Sequence, residues 1–224
     1  MRAFVFAMRK EAESLLNELT IIKAFHQGYA EFYEAEKDGK SVLVVIAGIG
    51  KAFASSALTS IALLYPDIEG VVNLGVGGSL DRSKVAPFDI ILSKRLVQYD
   101  MNTSGIGDPL GMVSGINKIF FEGNPILLKE AEAVCSSLKR KAFFGTIGTG
   151  DLFVTNEKHK KRIADAFDVI SVDMESASLA QIAYVYQIPF IAIRVVSDSG
   201  GQNEYEENLP EATVLLKEIA TRLI

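Results

Sequence analysis

The sequence has 224 residues but contains only one cysteine, two histidines and no tryptophan. A single cysteine, Cys135, excludes an internal disulfide and fits a reducing compartment. Beside it stand only His26 and His159, too few nitrogen and sulfur ligands for a zinc site of the usual kind. We therefore predict no metal site and expect a cytoplasmic protein.

The sequence also has no excess of basic residues and no long apolar run. It carries 23 Lys and Arg against 28 Asp and Glu, for a net charge of −5, so nucleic acid is not an expected partner. No apolar segment approaches the length of a membrane span. The apolar start, Ala3–Met8, ends at Arg9, too early for a signal peptide, and we predict a first β-strand there.

Segments with strand and helix periodicity alternate along the chain, without an internal repeat, a low-complexity segment or a linker. The hydrophobic content of 49% supports a large core. We predict one α/β domain spanning residues 1–224, with a mixed central sheet flanked by helices. The segment Tyr99–Gly123, rich in Gly, Asn, Ser and Asp, is predicted to be a long loop.

Two acidic residues near the carboxyl end of the chain are predicted to share a pocket. Asp173 and Glu175 open a predicted helix that is apolar on nearly every face over Ala177–Tyr186, and Asp173 is a credible N-cap. Asp198 follows the predicted buried strand Phe190–Val196. Ligands of open α/β sheets bind outside the carboxyl ends of strands, so Glu175 and Asp198 are expected to face one pocket. Two carboxylates there favour acid–base chemistry.

Two further features follow predicted buried strands, and each also has an ordinary structural explanation. Glu11 lies in the first turn of a helix, where an acid complements the helix dipole. The glycines of Gly75–Gly78 let a backbone approach a ligand closely, or simply supply a turn with positive φ. Their spacing is neither a P-loop nor a dinucleotide-binding fingerprint. Arg194, inside a predicted buried strand, is expected to pair with a carboxylate.

Five short motifs and one looser one, spread over nearly the whole chain, carry the most specific signal. They are Val172–Ala177, Arg194–Asp198, Ala7–Glu11, Gly48–Lys51 and Asn73–Gly78, with Gly150–Val154 as the looser one. Together they resemble the 5′-methylthioadenosine/S-adenosylhomocysteine nucleosidases of the nucleoside phosphorylase superfamily. The resemblance implies a nucleoside phosphorylase-like fold, a purine nucleoside substrate, no cofactor and a role in methionine salvage.

The resemblance also implies a role for individual residues. Asp198 would act as the general acid on adenine N7, Glu11 would activate the attacking water, and Glu175 would accept the ribose hydroxyls. The remaining substrate-binding residues implied are Met8, Ile49, Val76, Gly77, Gly78, Phe153, Val154, Met174 and Ser197. A homodimer is implied as well, in which the partner's copy of the long loop completes the site around the 5′-substituent.

Several alternatives remain open on the sequence. A purine phosphorylase would need a phosphate-binding loop, and the first loop offers Arg9 but no glycine- and arginine-rich segment, so hydrolysis is favoured. A futalosine or AMP nucleosidase and a nucleoside-binding protein without turnover are the other candidates. Departures from the family pattern at Gln98–Asn102, Ser199–Gly201 and Tyr205–Leu209 leave the preferred 5′-substituent undetermined.

Overall fold

The computed structural model describes all 224 residues, as six α-helices, ten β-strands and a short 3₁₀ helix at Ser104–Ile106. The helices are α1 (Arg9–Leu16), α2 (Lys51–Leu64), α3 (Pro125–Ser137), α4 (Glu157–Phe167), α5 (Ser176–Tyr186) and α6 (Gln202–Leu223). The strands are β1 (Arg2–Phe6), β2 (Thr20–Gln27), β3 (Ala30–Lys37), β4 (Lys40–Ile46), β5 (Gly70–Ser79), β6 (Ile90–Gln98), β7 (Phe120–Glu122), β8 (Ala142–Thr149), β9 (Val169–Asp173) and β10 (Phe190–Asp198).

All ten strands belong to one mixed sheet in the order β10-β6-β8-β9-β5-β1-β4-β3-β2, with β7 on β6. Strand β5 also pairs with β10, so β5, β10, β6, β8 and β9 form a closed ring. Strands β1, β4, β5 and β10 run parallel, and β9 meets β5 antiparallel only at its last residues, Val172 opposite Gly78. This overlap brings the carboxyl ends of oppositely directed strands to one place.

Helices cover both faces of the sheet, as the alternation of side chains in β1 requires. Ala3 and Val5 pack into a core beneath α2 and α5, whereas Phe4 and Phe6 pack into a second core beneath α1, α3 and α6. A strand segment buried on both faces must be apolar at every position, and Ala3–Phe6 of β1 satisfies this. The predicted fold class is thereby confirmed, and no helix is long and apolar enough to span a bilayer.

Several predicted elements have different bounds in the structure. The glycines of Gly75–Gly78 lie inside β5 and have no positive φ, so the turn interpretation is wrong. Asp173 ends β9, a strand the sequence did not reveal, and the N-cap of α5 is Glu175 rather than Asp173. The last turn of α5 is exposed at Tyr184–Tyr186, so this helix is not buried on every face. The amphipathic pattern of the sequence predicts a last helix over Glu207–Ile224, whereas α6 begins five residues earlier, at Gln202.

Candidate active site

A cavity of about 240 Å³ opens where the ends of β1, β4, β5, β8, β9 and β10 converge. All twelve residues predicted for the site line it, although they come from segments spread over most of the chain. They are Met8, Glu11, Ile49, Val76, Gly77, Gly78, Phe153, Val154, Met174, Glu175, Ser197 and Asp198. Ala7, Leu152, Val172, Asp173 and Tyr205 complete the wall. The structure thus brings the predicted residues together, while the role of each stays a prediction.

Glu11 is almost completely buried in the first turn of α1, directly after β1. Its Oε2 accepts a hydrogen bond from Met8 N at 3.0 Å, and its Oε1 accepts one from Val76 N at 3.0 Å. A Cβ atom at Gly75 would lie 3.0 Å from that Oε1, so the absence of a side chain at Gly75 leaves space for the Glu11 carboxylate. Burial raises the pKa of Glu11, while the two backbone donors and the charge of Arg194 oppose the shift.

Glu175 accepts a hydrogen bond from Gly50 N at 2.9 Å. Gly50 has φ 94°, a conformation that favours glycine, so the turn before α2 can aim its N–H at the cavity. Burial, reinforced by the neighbouring charge of Asp173, raises the pKa of Glu175 to about 7. The carboxyl group therefore titrates near neutral pH, in contrast to an exposed glutamate.

Asp198 is the last residue of β10 and is 2% exposed. Ser197 Oγ donates to its Oδ2 at 2.7 Å, and Gly200 N donates to its Oδ1 at 2.7 Å. Burial raises the pKa of Asp198, although both hydrogen bonds favour the charged form. A carboxyl group with a raised pKa, facing a cavity, is suited to proton donation.

Arg194 and Asp173 form a fully buried ion pair behind the cavity. The Arg194 Nη2 lies 2.9 Å from Asp173 Oδ2, and each side chain is 1% exposed. The same nitrogen donates to Asn73 Oδ1 at 2.5 Å, and Thr149 Oγ1 donates to Asp173 Oδ1 at 2.5 Å. The predicted pairing of Arg194 is confirmed, and its partner is the acid that had been expected to cap α5.

Two aromatic rings stand at the cavity. Phe153 is 44% exposed, and its ring meets the ring of Tyr205 edge to face at 5.8 Å between centroids. The Tyr205 hydroxyl lies 3.8 Å from Met8 Sδ. Tyr205 has no predicted role, because the segment Tyr205–Leu209 departs from the family pattern. The signal for Tyr205 in the sequence was an aromatic residue close to the start of the last helix, α6.

A second cavity, of about 550 Å³, shares the wall formed by Ala7, Met8 and Ile49. Arg9 lines it and is held away from the first cavity by an ion pair with Glu31 and a hydrogen bond to the Tyr33 hydroxyl at 2.5 Å. His26 lies on this second cavity and His159 packs edge to face against Tyr99, so neither histidine reaches the acids. No cluster of three or more His, Cys, Asp or Glu is placed to hold a metal ion.

Comparison with known proteins gives one consistent family. The model of the phosphorylase superfamily matches residues 2–224. The chain is 34% identical over 201 residues to a 5′-methylthioadenosine/S-adenosylhomocysteine nucleosidase of Listeria monocytogenes, covering 88% of this chain and 85% of that protein.

Two solved structures are also similar to the chain. The Neisseria meningitidis 5′-methylthioadenosine/S-adenosylhomocysteine nucleosidase in complex with methylthio-immucillin-A superposes with a TM-score of 0.93 at 27% identity, over 99% of this chain and 97% of that one. A futalosine hydrolase of Helicobacter pylori superposes with a TM-score of 0.93 at 24% identity, covering 99% and 96%; at that identity it shows the fold alone.

Proposed function

The chain belongs to the phosphorylase superfamily and, within it, to the 5′-methylthioadenosine/S-adenosylhomocysteine nucleosidases, and from that membership we propose its reaction. It hydrolyses the N-glycosidic bond of 5′-methylthioadenosine, S-adenosylhomocysteine or both, releasing adenine and a 5-thio-substituted ribose. The observation that carries the proposal is the convergence of Glu11, Glu175 and Asp198, three buried acids from distant parts of the chain, on one cavity.

Asp198 assists departure of the base. Breaking the N-glycosidic bond leaves negative charge on the purine, and a protonated carboxyl that donates to N7 neutralises it. The other oxygen of Asp198 accepts from the 6-amino group, which favours adenine over a 6-oxopurine. Phe153 stacks on the base, and the backbone of Val154 forms a hydrogen bond with the edge of the base.

Glu175 and Glu11 act on the sugar and on water. The ribose gains positive charge as the bond breaks, and an ionised Glu175 bound to the 2′- and 3′-hydroxyls stabilises that charge. Glu11, ionised and oriented by two backbone N–H groups, removes a proton from the water that attacks C1′. Met8, Ile49 and Tyr205 flank the 5′-substituent.

The charge of the cavity wall favours water over phosphate as the nucleophile. The wall carries no lysine or arginine to bind a phosphate anion, and the ionised Glu11 and Glu175 would repel one. Arg9, which directly follows Met8 in the first loop, is engaged by Glu31 on the second cavity. These contacts support hydrolysis rather than phosphorolysis.

The decisive experiment incubates the purified protein with methylthioadenosine, with and without phosphate, and identifies the sugar product. We expect adenine and free methylthioribose at the same rate in both mixtures. A phosphate-dependent sugar 1-phosphate would contradict hydrolysis, and tight binding without adenine release would favour a nucleoside-binding protein. Parallel assays with S-adenosylhomocysteine, futalosine, inosine and AMP rank the substrates.

The assembly we propose is a homodimer of one-domain subunits, each spanning residues 1–224. Exposed apolar side chains on the adjoining helices α2 and α5, among them Phe53, Leu64 and Tyr184, offer a surface for a second copy. Ile106, 83% exposed in the long loop, is the candidate to reach the partner's 5′-site. Light scattering should give twice the 24.4 kDa of one chain; a single-chain mass would contradict the dimer.

We assign the activity to methionine salvage in the cytoplasm.

A further inference from the structure

The turn between β10 and α6 carries the acid that protonates the leaving base. Asp198 ends the strand, and Gly200, two residues later, turns its N–H back onto Asp198 Oδ1 at 2.7 Å. Gly200 has φ +88°, so the turn depends on a left-handed residue. The orientation of the Asp198 carboxyl group therefore depends on what holds the intervening residue, Ser199.

Lys160 holds the carbonyl side of Ser199. This lysine on α4 is 5% exposed, which is rare for a lysine, and its Nζ donates to Ser199 O. Its other partner, Glu157, is on the surface, with an 81% exposed side chain. A Cβ atom at Gly200 would lie 3.0 Å from Lys160 Nζ and 2.6 Å from Val154 O, so Lys160 also packs the turn against the base-binding segment.

Glu204 holds the amide side of the same residue. Its Oε2 accepts a hydrogen bond from Ser199 N at 2.8 Å, and its Oε1 pairs with Arg82 at 3.0 Å. Glu204 lies in the first turn of α6, where a negative charge complements the helix dipole. A cation and an anion thus fix the two polar backbone groups of one residue, directly beside Asp198.

We propose that Lys160 and Glu204 are positioning residues of opposite charge that hold Ser199 and so set the orientation and the acidity of Asp198. The inference rests on the proposed nucleosidase activity for its catalytic consequence, because neither side chain lines the substrate cavity. Both act through the turn and through their charge.

The two charges act on Asp198 in opposite directions. Glu204 raises the pKa of Asp198 by repelling its carboxylate, and Lys160 lowers that pKa by attracting it. Burial is the largest cause of the raised pKa of Asp198, and the hydrogen bonds from Ser197 and Gly200 oppose it. Tyr205 also faces Asp198 from α6, and its pKa is raised by burial and then by the charges of Glu11 and Asp198.

The test compares pH profiles of kcat for the wild-type protein and for two charge-removing variants. Asp198 must be protonated to act, so kcat falls as pH rises through its pKa. Lys160→Met keeps the apolar stem but removes the cation, and should move the alkaline limb up by roughly half a unit to one unit. Glu204→Gln should move the limb down by a similar amount.

Matched controls separate the two positions from a general effect of charge. Lys161→Met removes a positive charge from the next residue of α4, whose side chain is 77% exposed. Glu207→Gln removes a negative charge from an exposed position on α6. Neither control should move the limb. Lys160→Arg, which keeps the cation, should retain the wild-type limb, whereas a purely structural role for Lys160 would lower kcat without moving it.

The two shifts must have opposite signs. Unchanged limbs, or limbs moving in the same direction in both variants, would overturn the proposal. Should Lys160→Met fail to fold, Glu204→Gln alone decides, since a limb that stays or rises contradicts it.

Carboxyl-carbon NMR titration of Asp198, assigned with Asp198→Asn, reads the same opposite shifts in the free protein without turnover. An inactive wild-type protein would therefore contradict the proposed function, while this titration would still test whether Lys160 and Glu204 set the acidity of Asp198.

Discussion

Each of the three acids in the cavity combines burial, which favours the protonated form, with hydrogen-bond donors that favour the charged form. Glu11 receives two backbone N–H groups, Glu175 receives one, and Asp198 receives one backbone N–H and one hydroxyl. The pKa of all three is raised, because desolvation outweighs these bonds. The donors also fix orientation, so each carboxyl group is held in one position before substrate arrives.

Replacing Asp198 by asparagine tests the general acid with little change of shape. The amide oxygen can still accept from Gly200 N, and the amide nitrogen can donate to Ser197 Oγ, so the turn should be preserved. Without a proton to give to N7, kcat for methylthioadenosine should fall by about 100-fold or more, measured as adenine release. A near-normal rate would remove Asp198 from the mechanism.

Replacing Glu11 by glutamine tests activation of water separately from binding. The amide oxygen keeps one of the two backbone hydrogen bonds, but the side chain can no longer accept a proton. We expect a loss of kcat of about 100-fold or more, with adenine binding by calorimetry nearly unchanged, since Glu11 acts on the sugar side. Retained turnover, or loss of adenine binding together with activity, would contradict this role.

At the scale of elements, the contact between β5 and β9 positions the site. The two strands pair only through Gly78 with Val172 and Ser79 with Ser171. Gly77 of β5 is needed for this close approach rather than for a turn. Strand β9 then delivers Asp173 to Arg194 of β10 and leads into Glu175 at the start of α5. The two-residue contact between β5 and β9 thus positions Asp173 and Glu175.

A Gly77→Ala variant tests that contact. The added Cβ would lie 2.9 Å from Ser171 Oγ and 3.1 Å from Val172 O, so β9 must move away from β5. Overpacking of this kind costs about 1–3 kcal/mol, and we expect a lower Tm together with a lower kcat. Gly105→Ala is the control, because a Cβ there meets no atom within 4 Å. Equal thermal unfolding of the two variants would show that β9 tolerates the shift.

At the scale of the whole molecule, the cavity is maintained at a cost in stability. The pKa of Glu175 is raised from 4.5 to about 7, so the folded protein binds more protons than the unfolded chain between these values. Stability attributable to this group is therefore greatest below pH 4.5 and is lost as pH rises through about 7. Such costs are common where activity requires buried charge.

Glu175→Gln should remove this pH dependence. The amide oxygen still accepts from Gly50 N, and no charge has to be buried at high pH. The Tm of the variant relative to wild type should therefore rise between pH 4.5 and pH 8, measured by calorimetry, although activity falls. Glu207→Gln, an exposed change on α6, is the control and should give a constant difference. A relative Tm that falls over this range would contradict the assignment.

The amino-acid sequence alone predicted the fold class and the twelve residues that line the cavity, because buried strands are apolar and family-like motifs follow their carboxyl ends. It also indicated that Arg194 needs a carboxylate, since an arginine in a buried strand cannot stay unpaired. Asp173 as that partner, the existence of β9, the aromatic Tyr205 and the clamp of Lys160 and Glu204 were decided only by tertiary structure. Each depends on segments far apart in sequence that meet where β5 and β9 overlap or where α4 and α6 close on one turn, and local periodicity carries no record of such contacts.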